Sequence, residues 1–292
     1  MKELDLLPFP ELADRVVRPT LRCYLRMAWP IALPLVILSV FMFRIQGTWL
    51  KAMETGNFEE GFGAGLAAVL VTAFFALIWS MLCLWAISIA AVELLAGRPV
   101  SFWRALRQVF VPRVFATLMI SLAINFLAMM FCFVPVLLTL PLLYVLVPVM
   151  VEEKIYGIAA IKRSVELVRF NATGRWADSG FIQASGLLFI GWAISTAIGM
   201  VVQMPFTIYQ QWRIWNETLS GRTADIIQIT QDMGAIQIPV QMVNVFAQLL
   251  GWFYWAISAV ALYQEIRRRR EGRDLEAAIP QILKLDDGAA VS

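Results

Sequence analysis

Uncharged amide side chains are the first candidates for chemistry in this chain of 292 residues. Gln241, Asn244 and Gln248 follow one another at intervals of three and four, so they share one face of a helix. Asn125 and Gln183 lie singly in other apolar stretches. Amides in apolar helices either hydrogen-bond to neighbouring helices or line the path of a substrate. We prefer the first interpretation and retain the second as the alternative.

Three carboxylates are the second candidates for chemistry. Glu152, Glu153 and Asp178 lie at the boundaries of apolar runs, and carboxylates are suitable Mg²⁺ ligands for an enzyme that acts on lipid headgroups. Lys154 and Arg175 lie close to these acids in the sequence. Ion pairing at a surface is therefore the simpler interpretation.

Other catalytic residue types are scarce. The chain contains no histidine, which is the commonest metal ligand and general base. Its three cysteines, Cys23, Cys83 and Cys132, are far apart and form neither a CxxC motif nor a zinc-ligand cluster. We therefore predict that the protein is not an enzyme and has no catalytic residue, cofactor or metal.

The elements that position these residues follow from the composition. Hydrophobic residues make up 60% of the chain and charged residues 15%, with a mean hydropathy of +0.71, whereas soluble domains contain about 45–50% apolar and about 25% charged residues. This composition predicts an all-α bundle that crosses a membrane. We predict an N-terminal arm (1–26), a C-terminal tail (264–292) and six spans, at about 27–43, 63–92, 114–133, 136–151, 178–202 and 238–263. No ionisable residue lies near the middle of any predicted span.

The third and fourth spans share one apolar stretch, 114–151, which is barely long enough for two crossings. Pro135, Pro141 and Pro148 disfavour continued helix and are predicted helix breaks, with the turn between the two spans at 133–136. Two crossings here also place most of the 24 lysines and arginines on one side of the membrane. The positive-inside rule assigns that side, and with it both termini, to the cytoplasm.

Two short amphipathic helices are predicted on the basic side, at the interface with lipid. The first follows the capping residue Ser101. Its apolar face comprises Phe102, Trp103, Leu106, Val109 and Phe110, opposite Arg104, Arg107 and Gln108. The second has an apolar stripe of Ile155, Ile158, Ile161, Val165 and Val168 and a polar stripe of Lys162, Arg163, Glu166 and Arg169.

Basic runs also flank the bundle. One helical stripe, formed by Arg15, Arg18, Arg22 and Arg26, leads into the first span, and a second run, formed by Arg267, Arg268, Arg269 and Arg270, follows the last. The second run directly follows a span and has Glu265, Glu271 and Asp274 around it, which favours membrane anchoring over binding of nucleic acid. The basic faces therefore predict contact with anionic lipid headgroups or docking of a protein partner.

Two segments resemble the membrane-domain family named after glycerophosphoryl diester phosphodiesterases. The resemblance covers about residues 90–280 and rests on Pro148, Glu152, Ala159, Arg163, Ser164 and Leu167, and on the closing run of Tyr263, Arg267, Arg270, Glu271, Gly272, Asp274, Leu275 and Glu276. It implies a multi-helix module in a bacterial inner membrane. The catalytic domain found in some family members relies on histidines, which this chain lacks, so the resemblance implies architecture without the enzyme activity.

The first functional hypothesis is a non-catalytic scaffold or accessory subunit of a complex in the bacterial inner membrane, with lipids and other protein subunits as partners and no nucleic acid. The alternative is a permease or export-system component for a lipid-like or small apolar substrate. It would use the broken fourth span and the face of Gln241, Asn244 and Gln248. An enzyme that acts on lipid headgroups is the third hypothesis.

Overall fold

The computed structural model describes residues 9–54, 58–131, 133–169, 179–219 and 234–271, and no strand occurs within these ranges. The helices are α1 (Phe9–Glu54), α2 (Phe58–Leu95), α3 (Phe102–Val109), α4 (Pro112–Met130), α5 (Phe133–Leu142), α6 (Leu146–Glu152), α7 (Ile158–Val168), α8 (Gly180–Leu219) and α9 (Gly234–Glu271). The all-α prediction is confirmed.

Six helical stretches in these ranges are long and apolar enough to cross a membrane. They are Val16–Met42, Gly65–Leu95, Pro112–Met130, Pro135–Glu152, Gly180–Asn216 and Ile238–Arg268. The prediction of six spans is therefore confirmed, and the chain is an integral membrane protein. The fourth stretch is not one helix, because it comprises α5, a short turn and α6.

α1 is one continuous helix from Phe9 to Glu54, so part of the predicted N-terminal arm and the first span belong to the same helix. Its inner face packs on α2 and α9 through residues spaced three or four apart, namely Val16, Thr20, Cys23, Met27 and Ile31. Arg18, Arg22 and Arg26 are exposed and lie within the membrane-length stretch Val16–Met42.

The register between α1 and α9 decides where these arginines lie. Tyr24 donates a hydrogen bond to the Phe246 carbonyl at 3.1 Å, and its ring packs edge-on against Phe253 at 5.7 Å. Arg22 and Arg26 lie two residues on either side of Tyr24, at the level of residues 246–253 of α9. No ionisable residue lies in the predicted span 27–43, and these arginines lie in the N-terminal half of the longer stretch Val16–Met42.

The core of the bundle surrounds α9, which packs against α1, α2 and α8. Glycine allows α8 and α9 to approach closely, since a Cβ at Gly191 would overlap the Trp255 indole and one at Gly251 would overlap Ser195 Oγ. Large exposed side chains lie mainly on the outer faces of α1, α2, α4 and α8. Exposed apolar side chains on the outside and packed residues around α9 are the arrangement expected of a bundle surrounded by lipid.

The helix of the fourth span is broken close to two of the three prolines that were predicted to break it. α5 ends at Leu142 and α6 begins at Leu146, so the break lies between Pro141 and Pro148. Pro135 lies in the first turn of α5, where the missing N–H costs nothing. The turn between the third and fourth spans comes earlier than 133–136, because α4 already ends at Met130 and α5 begins at Phe133.

The carbonyl groups freed by the break are satisfied. Ser164 of α7 donates its hydroxyl to the Leu142 carbonyl at 2.8 Å, and the Tyr144 N–H donates to the Pro141 carbonyl at 3.2 Å. A backbone carbonyl without a partner is costly in an apolar interior. Ser164, which is fully buried, therefore fastens α7 to the broken span.

Replacement of Ser164 by alanine is expected to lower the free energy of unfolding by about 1–3 kcal/mol, because the Leu142 carbonyl loses its donor in a buried position. Ser185→Ala is the matched control, since the Ser185 hydroxyl bonds the Phe181 carbonyl of its own helix. Unfolding of both variants in mixed detergent checks the prediction. Equal stability of the two variants would contradict it.

The two amphipathic helices exist, and only part of each predicted apolar face is buried against protein. α3 buries Phe102, Ala105 and Val109, and it leaves Trp103 and Phe110 exposed. The reason is that α3 lies against α2, where Phe102 contacts the Trp79 ring at 6.4 Å, so only part of its apolar arc faces protein.

On α7 the buried residues are Ala160, Ser164, Leu167 and Val168, whereas Ile158 is exposed. The sequence pattern favoured the larger isoleucines as the buried stripe. Val168 of the predicted stripe is buried, and the small Ala160 and Ser164 are buried as well because α7 approaches the break between α5 and α6 closely enough for Ser164 to bond it.

Candidate functional site

A large cavity of about 960 Å³ lies between α2, α4, α5, α8 and α9. Its walls are mainly apolar and aromatic, with Leu84 and Trp85 from α2, Leu118 from α4 and Trp255 from α9. Leu137 and Leu138 on α5 and Phe189 and Trp192 on α8 line the cavity and are also more than half exposed. The mouth of the cavity therefore lies between α5 and α8, on the side of the bundle that faces lipid.

The broken span forms one wall of this cavity. Pro141, Tyr144 and Val147 line it from the two sides of the break. The Tyr144 hydroxyl donates to the Trp255 carbonyl at 2.9 Å and also bonds the Ser258 hydroxyl. These bonds hold the non-helical turn against α9. The turn therefore forms an ordered part of the cavity wall.

A few uncharged polar groups interrupt the apolar lining. Asn125 accepts a hydrogen bond from the Thr139 hydroxyl at 2.8 Å and donates its amide to the Ser121 carbonyl at 3.0 Å. The Asn125–Thr139 bond joins α4 to α5, the kind of contact predicted for an isolated amide in a span. Asn125 and Ser121 also line the cavity, so this polar spot can meet the polar part of a bound amphipathic molecule.

A second, smaller cavity of about 350 Å³ lies between α8 and α9. We call it the polar pocket. Its lining includes Asn244 and Gln248 from α9 and Ser195, Thr196 and Gln203 from α8. Gln241 belongs to the same predicted face of α9 but does not line the pocket. Trp255 lines both cavities.

Gln183 lies apart from both cavities, on the inner face of α8. Its side chain is buried, and in the described part of the chain its Oε1 atom has no hydrogen-bond partner. We have no physical account of this unpaired atom.

An ion-paired cluster joins α6, α7 and α9. Glu153 accepts a hydrogen bond from Arg163 Nε at 2.9 Å and another from the Tyr263 hydroxyl at 3.0 Å. Arg267 donates to the Tyr263 hydroxyl at 2.8 Å and lies 3.6 Å from a Glu152 oxygen. We call these five residues the charge cluster. Glu153 and Glu152 are ion-paired, as expected, with Arg163 and Arg267 as partners, but Glu153 is largely buried and does not lie at the surface. Arg175 lies outside the described residues.

The charge cluster bears on two earlier hypotheses. The headgroup enzyme needed Glu152 and Glu153 to hold a metal, but both acids are bound to arginines, and Asp178 lies outside the described residues. Within the described ranges no group of three acidic, cysteine or histidine residues could hold a metal ion. Arg163 and Arg267, predicted to dock a partner or lipid, pair with Glu153 and Glu152 of their own chain, because α6 contacts both α7 and α9.

The remaining docking candidates lie at the surface. Exposed side chains at this end of the bundle include Trp103, Arg104, Arg107, Lys162, Glu166, Arg169 and Arg268. Arg269 and Arg270 belong to α9, but their side chains lie outside the described residues. These exposed residues are available to headgroups or to a partner.

Three residues that shape the two cavities were not found from the sequence. Trp255 and Tyr144 look like ordinary apolar residues of a span, and Gln203 comes after the predicted end of the fifth span at 202. The pairing of α8 with α9 brings Gln203 to Asn244 and Gln248, and no sequence spacing reveals it. A glutamine directly after the predicted end of an apolar span is the signal in the sequence that could have pointed to Gln203.

No family model, curated protein or solved structure gives a significant match to this chain. The two cavities and the charge cluster are therefore interpreted from their own geometry.

Proposed function

We propose that this membrane protein binds a lipid-like molecule in the large cavity, as the binding step of a permease or export component. The observation that carries the proposal is a mostly apolar cavity of about 960 Å³ enclosed by helices that can cross a membrane. Ligand cavities of about 300–1,000 Å³ that are mostly apolar, with few polar groups, are typical binding sites for small organic molecules.

The position of the mouth supports a ligand that comes from the bilayer. Leu137, Leu138, Phe189 and Trp192 surround an opening on the lipid-facing side, so a hydrocarbon chain reaches the cavity without crossing water. Asn125 and Ser121 can hydrogen-bond an ester or hydroxyl group near the chain. Both features favour a lipid-like ligand over a purely polar one.

The proposal involves binding without catalysis, since the acids of the enzyme hypothesis are engaged in the charge cluster. The scaffold hypothesis stays a prediction. The location in a bacterial inner membrane, the cytoplasmic position of the termini and the resemblance to the phosphodiesterase membrane-domain family also stay predictions, and the proposed ligand does not depend on them.

Filling the cavity tests the proposal. The double variant Ser88→Trp and Ser185→Trp introduces two indoles into the lining. In vesicles that contain a photoactivatable phospholipid, we expect cross-linking to the cavity peptides to fall about tenfold, equivalent to about 1.4 kcal/mol. Mass spectrometry of the labelled peptides measures the effect.

Ser39→Trp is the matched control, because Ser39, like Ser88 and Ser185, bonds the carbonyl four residues earlier in its own helix but does not line the cavity. Its labelling is expected to equal that of the wild type. Labels spread over the whole outer surface, with no change in the double variant, would reject the proposed function.

A further inference from the structure

We propose that the polar pocket binds an uncharged, hydroxyl-bearing group, such as the glycerol or sugar headgroup of a neutral lipid. This inference goes beyond the large cavity, because the polar pocket shares only Trp255 with it and otherwise involves different residues of α8 and α9. It assigns a class of ligand to Asn244 and Gln248, which the sequence identifies only as polar residues on one helix face.

The pocket is polar at a depth where polar groups are rare. Ser195 and Gln203 lie well inside the membrane-length stretch Gly180–Asn216, and Asn244 lies inside Ile238–Arg268. Asn244 is 7% exposed, and its Oδ1 atom lies over the backbone of Gly199, where an added Cβ would be 3.3 Å away. A buried amide inside a span needs hydrogen-bond partners, and about 350 Å³ of space beside it leaves room for a ligand to supply them.

The kinds of side chain define the ligand. Asn244, Gln203 and Gln248 each offer both donors and acceptors, and hydroxyl groups also donate and accept. Ser195 donates its own proton to the Gly191 carbonyl at 3.0 Å, which leaves its oxygen free to accept from a ligand. A ligand with several hydroxyl groups therefore matches this lining better than an acceptor-only group does.

The absence of charge among the described lining residues restricts the class of ligand further. None of the described residues that line the polar pocket is charged. A phosphate or an ammonium group within a span would need a compensating charge, because desolvation of an unpaired ion is costly. Trp252 and Met200 give the pocket an apolar side that suits the carbon skeleton of a polyol. The ligand is therefore neutral.

The test uses the purified protein in lipid nanodiscs and a monoacylglycerol with a photoactivatable group on its glycerol end. We expect labels in the peptides that contain residues 195–203 and 244–252. Unlabelled monoacylglycerol and a monoacyl hexoside should compete, whereas a lysophosphatidylcholine with the same chain should compete about tenfold less well, since its charges find no partner. Free glycerol should not compete at the concentrations at which monoacylglycerol does. Equally strong competition by free glycerol would identify a free polyol as the ligand and overturn the assignment to a lipid headgroup.

Variants decide whether the amides make the site. Asn244→Leu and Gln203→Leu, on opposite helices, should each reduce labelling about tenfold through lost hydrogen bonds. Gln241→Leu is the control on the same face of α9, outside the pocket, and should leave labelling unchanged. Photolabelling of the large cavity by the phospholipid is measured in the same variants and shows whether they are folded. In the wild type it tests the proposed function independently of the polar pocket. Equal competition by the charged lipid, or unchanged labelling in Gln203→Leu, overturns the inference.

Discussion

Replacement of Gly191 by valine is expected to destabilise the protein by about 3 kcal/mol, because side chains forced into a packed interface cost about 1–3 kcal/mol and occasionally more. A Cβ at residue 191 would overlap the Trp255 indole ring. That ring cannot easily withdraw, since its Nε1 donates to the Leu188 carbonyl at 2.9 Å. The Trp255 carbonyl also accepts from Tyr144, so displacement of α9 would disturb the broken span.

Thermal unfolding in detergent measures this effect, and about 3 kcal/mol corresponds to a midpoint lower by about 9 °C. Ala197→Val is the matched control, because Ala197 lies on the exposed face of the same helix. Trp255→Ala in the Gly191→Val background should recover part of the loss, since it removes the overlapping ring. A Gly191→Val variant as stable as Ala197→Val would show that α8 and α9 do not meet at this glycine.

Replacement of Glu153 by alanine is the second change with a large expected effect. Its carboxylate has 8% of its side-chain surface exposed and accepts hydrogen bonds from both Arg163 and Tyr263. Loss of one member of a buried ion pair costs about 3–5 kcal/mol, and because Arg163 is 22% exposed, solvent reduces the expected value to about 2 kcal/mol. Because Glu153 bonds both Arg163 and Tyr263, its loss should weaken the contacts of α6 with α7 and with α9 at the same time.

Two comparisons check this prediction by thermal unfolding. Glu166→Ala removes an exposed acid from α7 and should change stability by less than about 0.5 kcal/mol. Glu153→Gln retains an acceptor for Tyr263 and should fall between the wild type and Glu153→Ala. Equal stability of Glu153→Ala and Glu166→Ala would mean that the charge cluster contributes nothing to the fold.

Several elements of the fold could be predicted because each depends on a local property. The six membrane-length stretches follow from apolar runs of about 20 residues, and the break in the fourth span follows from Pro141 and Pro148. The existence of α3 and α7 follows from their amphipathic spacing. The spacing does not predict which residues are buried. Ala160 and Ser164 are buried only because α7 approaches the break in the fourth span closely.

The candidate sites show the same division. Asn244 and Gln248 stand out in the sequence because an amide is conspicuous in an apolar run. Gln203 and Trp255 complete the polar pocket but do not stand out, because Gln203 lies just beyond the predicted fifth span and Trp255 resembles the other aromatic residues of the sixth. Arg163 and Arg267 look like surface cations in the sequence, and only the contact of α6 with α7 and α9 pairs them with Glu153 and Glu152.

The sequence by itself determined that this protein is a helical membrane protein with six spans, because the number of crossings follows from the transfer of apolar segments into lipid, one segment at a time. The tertiary structure alone decided which faces of those helices meet. All spans are similarly apolar, so helix pairing depends on the fit of individual side chains, such as Gly191 against Trp255. The two cavities arise from that fit, and for that reason they have no signature in the order of the residues.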